Sequence, residues 1–405
     1  MSLRKKIAED DIQSLVFEIN HLFTPSTPIK LGDLFAGRLK QIRQMQDAVA
    51  EPGRHIVLYG ERGVGKTSIA QVLQVLLPAS LQTIVYTRKA CSPDDDFDSI
   101  WRKFFKDMRF SVSTNGENET YSVDELYSDK ISPDDVLREL NQFKATELPI
   151  FVIDEYNEVR DMETSRLLAN TIKMLSDEGN SATIVTVGVG DDVTELFSEH
   201  KSIARCTEEI LMPRMSQDEL GEIIDKRISQ LGLGLNQDAR WKIIILSRGL
   251  PTYVHRLGKF AATRAVYGRR VNITEEDVDA AIEEMLEGSL QSLRDDYELA
   301  THSNQPGNLF KEILLACALS KADDNGYFMP AAVREPLSKI IGKPMEISQY
   351  RSHLASFATQ KRGSILQRIG QERSYRFRFA EPTMQPYVLM KGITSGMICS
   401  SSNMI

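Results

Sequence analysis

The pattern of apolar positions changes character along the chain. Between residues 55 and 212, short apolar runs alternate with amphipathic stretches. The runs fall at 55–59, 83–87, 150–153, 183–187 and 209–212 and are rich in Val, Ile and Thr. They lack clean apolar–polar alternation, so they predict strands covered on both faces. Helical spacing lies between them, at 97–108, 133–143 and 164–175. Strands separated by helices predict a parallel sheet. A helical pattern before the first strand runs to about Ala50 and is broken at Pro52-Gly53. Residues up to about Thr27 predict a polar, helical lead-in, and the aperiodic polar stretch 111–129 a surface insertion.

From 216 to 286 the spacing is helical throughout, at 217–231, 237–246, 252–266 and a segment opened by the capping sequence Thr274-Glu275-Glu276-Asp277. A charged helical connector over 287–300 and a linker over 301–307 follow. Helices are then expected at 310–319, 330–341 and 348–359, with strand-like runs at 364–368 and 375–379 around a Gly-containing turn. Three helices and a hairpin make a winged-helix pattern. The expected division is a lead-in (1–27), an α/β domain (28–214), a helical domain with its connector (215–300) and a winged-helix domain (301–405).

A chain of 405 residues suffices for two or three domains with real cores. Cys91, Cys206, Cys317 and Cys399 are scattered without a C-x-x-C pair, which argues against a zinc site or a disulfide framework and fits a reducing cytosol. Apolar runs fall short of bilayer length, and the N-terminus lacks the apolar core of a signal peptide. The expectation is a cytoplasmic protein without a membrane partner. Charge is uneven: residues 305–405 carry 13 Lys and Arg against 7 Asp and Glu, a net of +6, so the first 304 carry −14 within an overall −8. Nucleic acid is therefore a candidate partner for the C-terminal part alone.

The sharpest motif is Gly60-Glu61-Arg62-Gly63-Val64-Gly65-Lys66-Thr67, a full G-x-x-x-x-G-K-T sequence between an apolar run and a helical pattern that opens at Ser68. Its glycines let backbone N–H groups turn around phosphate oxygens, and the helix N-terminus adds its positive end. Lys66 is placed to reach the β- and γ-phosphates of a nucleoside triphosphate, and Thr67 to hold Mg²⁺. The second motif, Ile150-Phe151-Val152-Ile153-Asp154-Glu155, ends an apolar strand in two carboxylates. The carboxyl edge of an open α/β sheet is where ligands bind. Asp154 is the expected Mg²⁺ partner, and Glu155 the group that accepts a proton from the attacking water or orients it.

These two motifs and the order of elements around them resemble the AAA+ ATPases. Within that family the chain looks most like the replication-initiator (origin-recognition) branch and related bacterial STAND-like ATPases. Phe35-Ala36-Gly37-Arg38 is similar to the entry segment that lies near the adenine in that branch, which gives Arg38 a nucleotide contact. The resemblance implies an α/β P-loop core with an α-helical lid at 216–286 and a C-terminal winged helix. It implies bound ATP and Mg²⁺, with hydrolysis. Asp191, in Gly188-Val189-Gly190-Asp191-Asp192, falls where the family usually has a water-orienting Asn; capping the next helix is the other reading. Arg205 matches the arginine finger supplied to a neighbouring subunit, the alternative being a surface arginine at a helix end. Gly249-Leu250-Pro251 resembles an element that lies against nucleotide in STAND ATPases, with Pro251 as the contact. Thr252 stands where the family often has a lid arginine, and Arg256 is one turn further. His255 is expected to be packed in the helix rather than to act as a ligand.

Two outputs stay open. In one, Lys361, Arg362, Arg368, Arg373, Arg376 and Arg378 around the wing contact DNA, with Tyr375, Phe377 and Phe379 facing the core by alternation. In the other, the winged helix is regulatory, as in a signalling or antiviral-defence ATPase, and the partner is a separate effector protein. Both imply assembly with like subunits or a partner ATPase.

Overall fold

The computed structural model describes residues 7–24, 37–77, 83–114, 117–144, 146–197, 200–305, 307–371 and 374–398. They form two compact units. One comprises residues 28–61 and 65–212; the other comprises 1–27, 62–64 and 213–405.

The first unit is built on strands β1 (His55–Tyr59), β2 (Thr83–Ala90), β3 (Arg109–Thr114), β4 (Glu117–Ser122), β5 (Glu147–Asp154), β6 (Thr183–Val187) and β7 (Thr207–Leu211). Five of them form a parallel sheet in the order β2-β5-β6-β1-β7. The interior strands β1, β5 and β6 are almost wholly buried, while β2 and β7 at the ends are partly exposed. Continuous apolar runs are what a sheet covered on both faces requires.

In chain order the first helices are α1 (Ile12–Leu22), which belongs to the other unit, then α2 (Leu39–Ala50), α3 (Lys66–Leu76), α4 (Phe97–Phe105), α5 (Pro133–Leu140), α6 (Met162–Asp177) and the single turn α7 (His200–Ile203). Helix α4 shows how sequence becomes packing. Asp96 and Ser99 form a capping box at its start, and Phe97, Ile100, Trp101, Phe104 and Phe105 recur on one face and are all buried. Trp101 and Phe104 pack on Phe151 of β5 with ring centroids 5.9 and 5.4 Å apart. Each such ring contributes roughly 2–3 kcal/mol by burial. This face clamps the strand whose last residue is Asp154.

The stretch expected as an aperiodic insertion contains an antiparallel hairpin, β3 with β4, in register from Arg109↔Ser122 to Thr114↔Glu117. Its apolar positions are few: Phe110 and Val112 alternate on one strand, but only Tyr121 answers them on the other, so the alternation is too short to stand out. The sequence between the two strands is Asn115-Gly116, a dipeptide favoured in two-residue hairpin turns, which lies outside the described residues.

The second unit continues with α8 (Gln217–Gln230), α9 (Gln237–Ser247), α10 (Pro251–Tyr267), α11 (Glu275–Glu287) and α12 (Gln291–Thr301). Two-residue strands β8 (Gly234–Leu235) and β9 (Asn272–Ile273) pair between the loops. Helices α13 (Phe310–Leu319), α14 (Pro330–Ile341) and α15 (Ile347–Phe357) follow, then the antiparallel pair β10 (Leu366–Ile369) and β11 (Arg376–Phe379), and α16 (Met384–Thr394). Helix α16 was not anticipated. It buries eight of its residues, and its Gln385 donates to the Ala318 carbonyl (2.8 Å) while accepting from Arg214.

Helix α1 also departs from the expectation of a polar lead-in: Leu15, Ile19 and the following Phe23 are buried. Arg227, itself fully buried on α8, donates to the Leu22 carbonyl at 3.1 Å, and the Thr24 N–H donates to His255 Nδ1 at 3.2 Å. Gly258 on α10 leaves the room, since a Cβ there would lie 2.6 Å from the Phe23 ring.

Candidate functional site

The phosphate-loop motif runs from the end of β1 to the first turn of α3. Gly60 has φ 143°, and a Cβ there would lie 2.5 Å from the Met212 carbonyl oxygen, so the position excludes a side chain. Gly63 (φ 84°) and Gly65 (φ 97°) are left-handed, where glycine alone is unstrained. Lys66 is buried, and its ammonium donates to the carbonyls of Gly60 (2.9 Å) and Glu61 (2.7 Å). A cation is thus folded back within the loop at the N-terminus of α3, whose dipole favours an anion at the same place. Thr67 and Ser68 complete that first turn.

Asp154 ends β5, which β6 separates from β1. Its carboxylate is 1% exposed, accepts three hydrogen bonds and pairs with a guanidinium. Oδ1 takes the Thr67 hydroxyl (3.3 Å) and the Glu155 N–H (2.9 Å). Oδ2 accepts from Arg88 Nε (2.9 Å), and Arg88 Nη2 pairs with it at 2.7 Å. Thr67 and Asp154, far apart in sequence, therefore meet. Glu155 follows in a left-handed conformation (φ 55°) with its side chain exposed beyond the strand end. A non-glycine residue held there stores strain, as functional positions often do.

Arg88 escaped the sequence reading. The expected strand stopped at Thr87, whereas β2 continues to Ala90, with Ala90 opposite Asp154. Arg88 and Lys89 continue the strand beyond its apolar run, and only the strand order makes β2 the neighbour of β5.

The loop after β6 is tied to the loop after β5 by Val189 N–H donating to Asn157 Oδ1 at 2.8 Å. Asp191 lies at this edge, and its N–H donates to Glu195 Oε2 at 2.8 Å. The capping alternative for Asp191 is corrected: Asp192 caps the turn Val193–Glu195, accepting from the Thr194 N–H at 2.7 Å. One extended residue in this loop moves the cap by one position.

Arg205 is not brought to the loop of its own chain. It precedes β7, whose Thr207 pairs with His55 at the start of β1, so it lies at the opposite edge of the sheet. It is exposed and pairs with Asp177 at 2.5 Å. Arg38 is buried at the N-terminus of α2 with φ 63°, after Gly37 at φ 71°; Phe35 and Ala36 of the same segment lie outside the described residues.

In the other unit, Pro251 is the first residue of α10. Arg248 (φ 47°) and Gly249 (φ 83°) turn the chain into it, and a Cβ on Gly249 would lie 2.6 Å from Arg214 Cβ. Thr252 and Arg256 are partly exposed on that helix. His255 is packed: burial, and then the charge of Arg227, push its pKa down to about 3.

The β10–β11 pair alternates as expected at Phe377 and Phe379, which are buried, while Tyr375 ahead of β11 is half-buried. The arginines around the pair, however, are engaged within their own unit. Arg376 pairs with Asp323 (3.0 Å), and Arg378 lies over the Tyr327 ring (4.5 Å) and donates to Gln367 Oε1 (2.8 Å). Arg368 stacks on Tyr375 (4.6 Å). Arg362 stacks on Phe310 (3.8 Å) and donates to the Ala300 carbonyl (3.2 Å). Arg373 lies outside the described residues.

The donor set of the first unit fits a magnesium–nucleotide group. A hydroxyl and a carboxylate are hard oxygen ligands, and Mg²⁺ is commonly held by one or two such groups plus phosphate and water. That Asp154 already faces a guanidinium shows its oxygen edge placed to meet positive charge. Among the described residues no group of three His, Cys, Asp or Glu could hold a metal, and no helix is long and apolar enough to cross a membrane.

Residues 30–249 match the family model described as Novel STAND NTPase 1. Among solved structures, the Walker-type ATPase PABY2304 of Pyrococcus abyssi is similar at a TM-score of 0.52 and 16% identity, over 91% of this chain and 99% of that one. The Aeropyrum pernix ORC2 protein, solved in ADPNP–ADP complexes, is similar at 0.50 and 15%, over 93% and 98%. No curated protein matches the chain. At these identities the likeness is one of fold: an α/β P-loop core of the AAA+ kind, resembling the origin-recognition and STAND-like ATPases.

Proposed function

The chain belongs to the Novel STAND NTPase 1 family, and from that premise we propose that it is an ATP-driven switch that hydrolyses ATP and couples nucleotide state to assembly. The observation that carries this reading is the convergence of Lys66, Thr67, Asp154 and Glu155 at one edge of the sheet. The loop N–H groups and Lys66 bind and orient the phosphates. Thr67 and Asp154 would hold Mg²⁺, which would neutralise developing charge on the transferred phosphoryl group. Glu155, exposed at the strand end, accepts the proton of the attacking water, and Asp191 lies at the same edge to orient that water. Arg38 contacts the base, Pro251 contacts the nucleotide from a helical lid formed by α8–α11, and Arg205 acts on a neighbour's γ-phosphate. The protein's useful output is conformation or assembly. Glu155→Gln tests the assignment: ATP binding persists while turnover falls by about 10²–10⁴-fold. Unchanged turnover overturns Glu155 as the base.

We read α13–α15 with the β10–β11 pair as a winged helix. Two outputs are compatible with it, DNA loading and regulation of a separate effector. The engagement of Arg362, Arg368, Arg376 and Arg378 inside their own unit favours the regulatory one. Salt-dependent DNA binding that drops in the double variant Arg376→Ala/Arg378→Ala supports the first. Absence of DNA binding at low salt, with and without ATP, supports the second.

A further inference from the structure

The buried Asp154 carboxylate is already surrounded by donors. An ionised carboxylate offers about four lone-pair positions; here the Thr67 hydroxyl, the Glu155 N–H and Arg88 Nε each donate to it, and Arg88 Nη2 crowds the same oxygen as Nε at 2.7 Å. A metal ion, bound directly or through its water shell, competes with these donors for the carboxylate. The Glu155 N–H belongs to the strand end. The Thr67 hydroxyl need only rotate its hydrogen away to present an oxygen. Arg88 alone carries positive charge, which a divalent ion on the same carboxylate repels. It is also the donor free to leave, since its side chain is 30% exposed whereas Asp154 is 1% exposed. Its position follows from the strand: Tyr86, two residues earlier on the same face of β2, bonds the Ala70 carbonyl of α3 at 2.8 Å. Arg88 is therefore aimed at the phosphate-loop side of the sheet.

We propose that Arg88 is a positioning residue that holds Asp154 while the metal position is empty and is exchanged for Mg²⁺ when magnesium–nucleotide binds. This rests on the nucleotide reading of the site. Without the guanidinium, a carboxylate this buried would face the cost of an uncompensated charge; with it, the empty site is stable, and metal entry has to overcome the ion pair. Arg88 thereby weakens the coupling between Mg²⁺ and nucleotide, and its release adds a charge change to the loaded state.

The coupling is measurable without turnover as the ratio of mant-ADP dissociation constants in EDTA and in saturating Mg²⁺, a linkage quantity. Arg88→Met is expected to raise that ratio on the order of tenfold over wild type, the lower end of what a charged hydrogen bond contributes. It is also expected to lower the melting temperature in EDTA, with recovery in Mg·ADP. Arg88→Lys keeps the charge but loses the two-donor fork, so it folds as wild type does and raises the ratio by a smaller factor. A ratio unchanged or reduced in both variants, with mant-ADP still bound, overturns the exchange and leaves the nucleotide site standing. Failure of the wild-type protein to bind mant-ADP overturns the site reading, and the exchange with it.

Discussion

Two buried histidines give the chain a definite pH dependence. His55, at the start of β1, accepts the Ile184 N–H at Nδ1 (3.0 Å), and His255 accepts the Thr24 N–H at Nδ1 (3.2 Å). Each is therefore neutral with its proton on Nε2, and protonating Nδ1 would break the bond. Burial pushes His55 down to about 4 and, with the charge of Arg227, His255 to about 3, from 6.5. Because the folded values lie below the unfolded ones, the unfolded chain binds more protons as pH falls. Stability is fully present above about pH 6.5 and is lost as pH drops towards 4, by up to about 1.4 kcal/mol per pH unit for each histidine. The urea midpoint should fall between pH 7 and pH 5, and less so in His255→Gln; equal midpoints at both pH values would reject the neutral assignment. At this scale much of the candidate site was legible. Lys66, Thr67, Asp154 and Glu155 stand in motifs whose spacing encodes their chemistry. Arg88 and Asn157 were not legible, because each matters through a partner on another strand or loop.

At the scale of elements, legibility followed the strength of the periodic signal. Helices α13 and α14 fall on the expected residues, and α8–α11 within a residue or so at most ends. The parallel strands were found by their apolar runs, but β2 and β5 extend further, because pairing with a neighbour carries polar residues such as Arg88 and Glu147 into the ladder. The β3–β4 hairpin was missed because its apolar alternation is confined to Phe110 and Val112 on one strand and Tyr121 on the other. Helix α16 was missed because it is apolar nearly all round, with no amphipathic stripe to announce it; Tyr387, Val388, Leu389 and Met390 are all buried. Helix α1 was undervalued because its buried residues become significant only once Arg227, His255 and Gly258 are known to receive its end.

For the whole molecule, the decisive placement is Arg205. It sits at the amino edge of the sheet, and the phosphate loop leaves β1 at the carboxyl edge. Five strand residues separate them, about 17 Å of strand, too far for an arginine to reach a phosphate in its own loop. An arginine-finger role therefore requires a second subunit. The pair with Asp177 is exposed and worth about 0–1 kcal/mol, so releasing it costs little. Arg205→Ala should leave ATP binding intact while lowering turnover on the order of 10³-fold. Mixing it with Glu155→Gln, which retains Arg205, should restore activity in mixed assemblies. Persistent inactivity of the mixture would argue against action in trans.

The sequence alone determined the phosphate-binding chemistry and the parallel α/β plan. A loop of glycines followed by Lys-Thr, and apolar runs between helical patterns, are local and need no partner to be recognised. Tertiary structure decided the rest. Strand order put β6 between the loop strand and Asp154, and brought β2 and its Arg88 beside that carboxylate. Register sent Arg205 to the far edge. Packing drew Arg376 and Arg378 of β11 into contacts of their own unit and gave α1 a buried seat. These are pairings between residues far apart in the chain, set by which surfaces exclude water together, and no local periodicity carries that information.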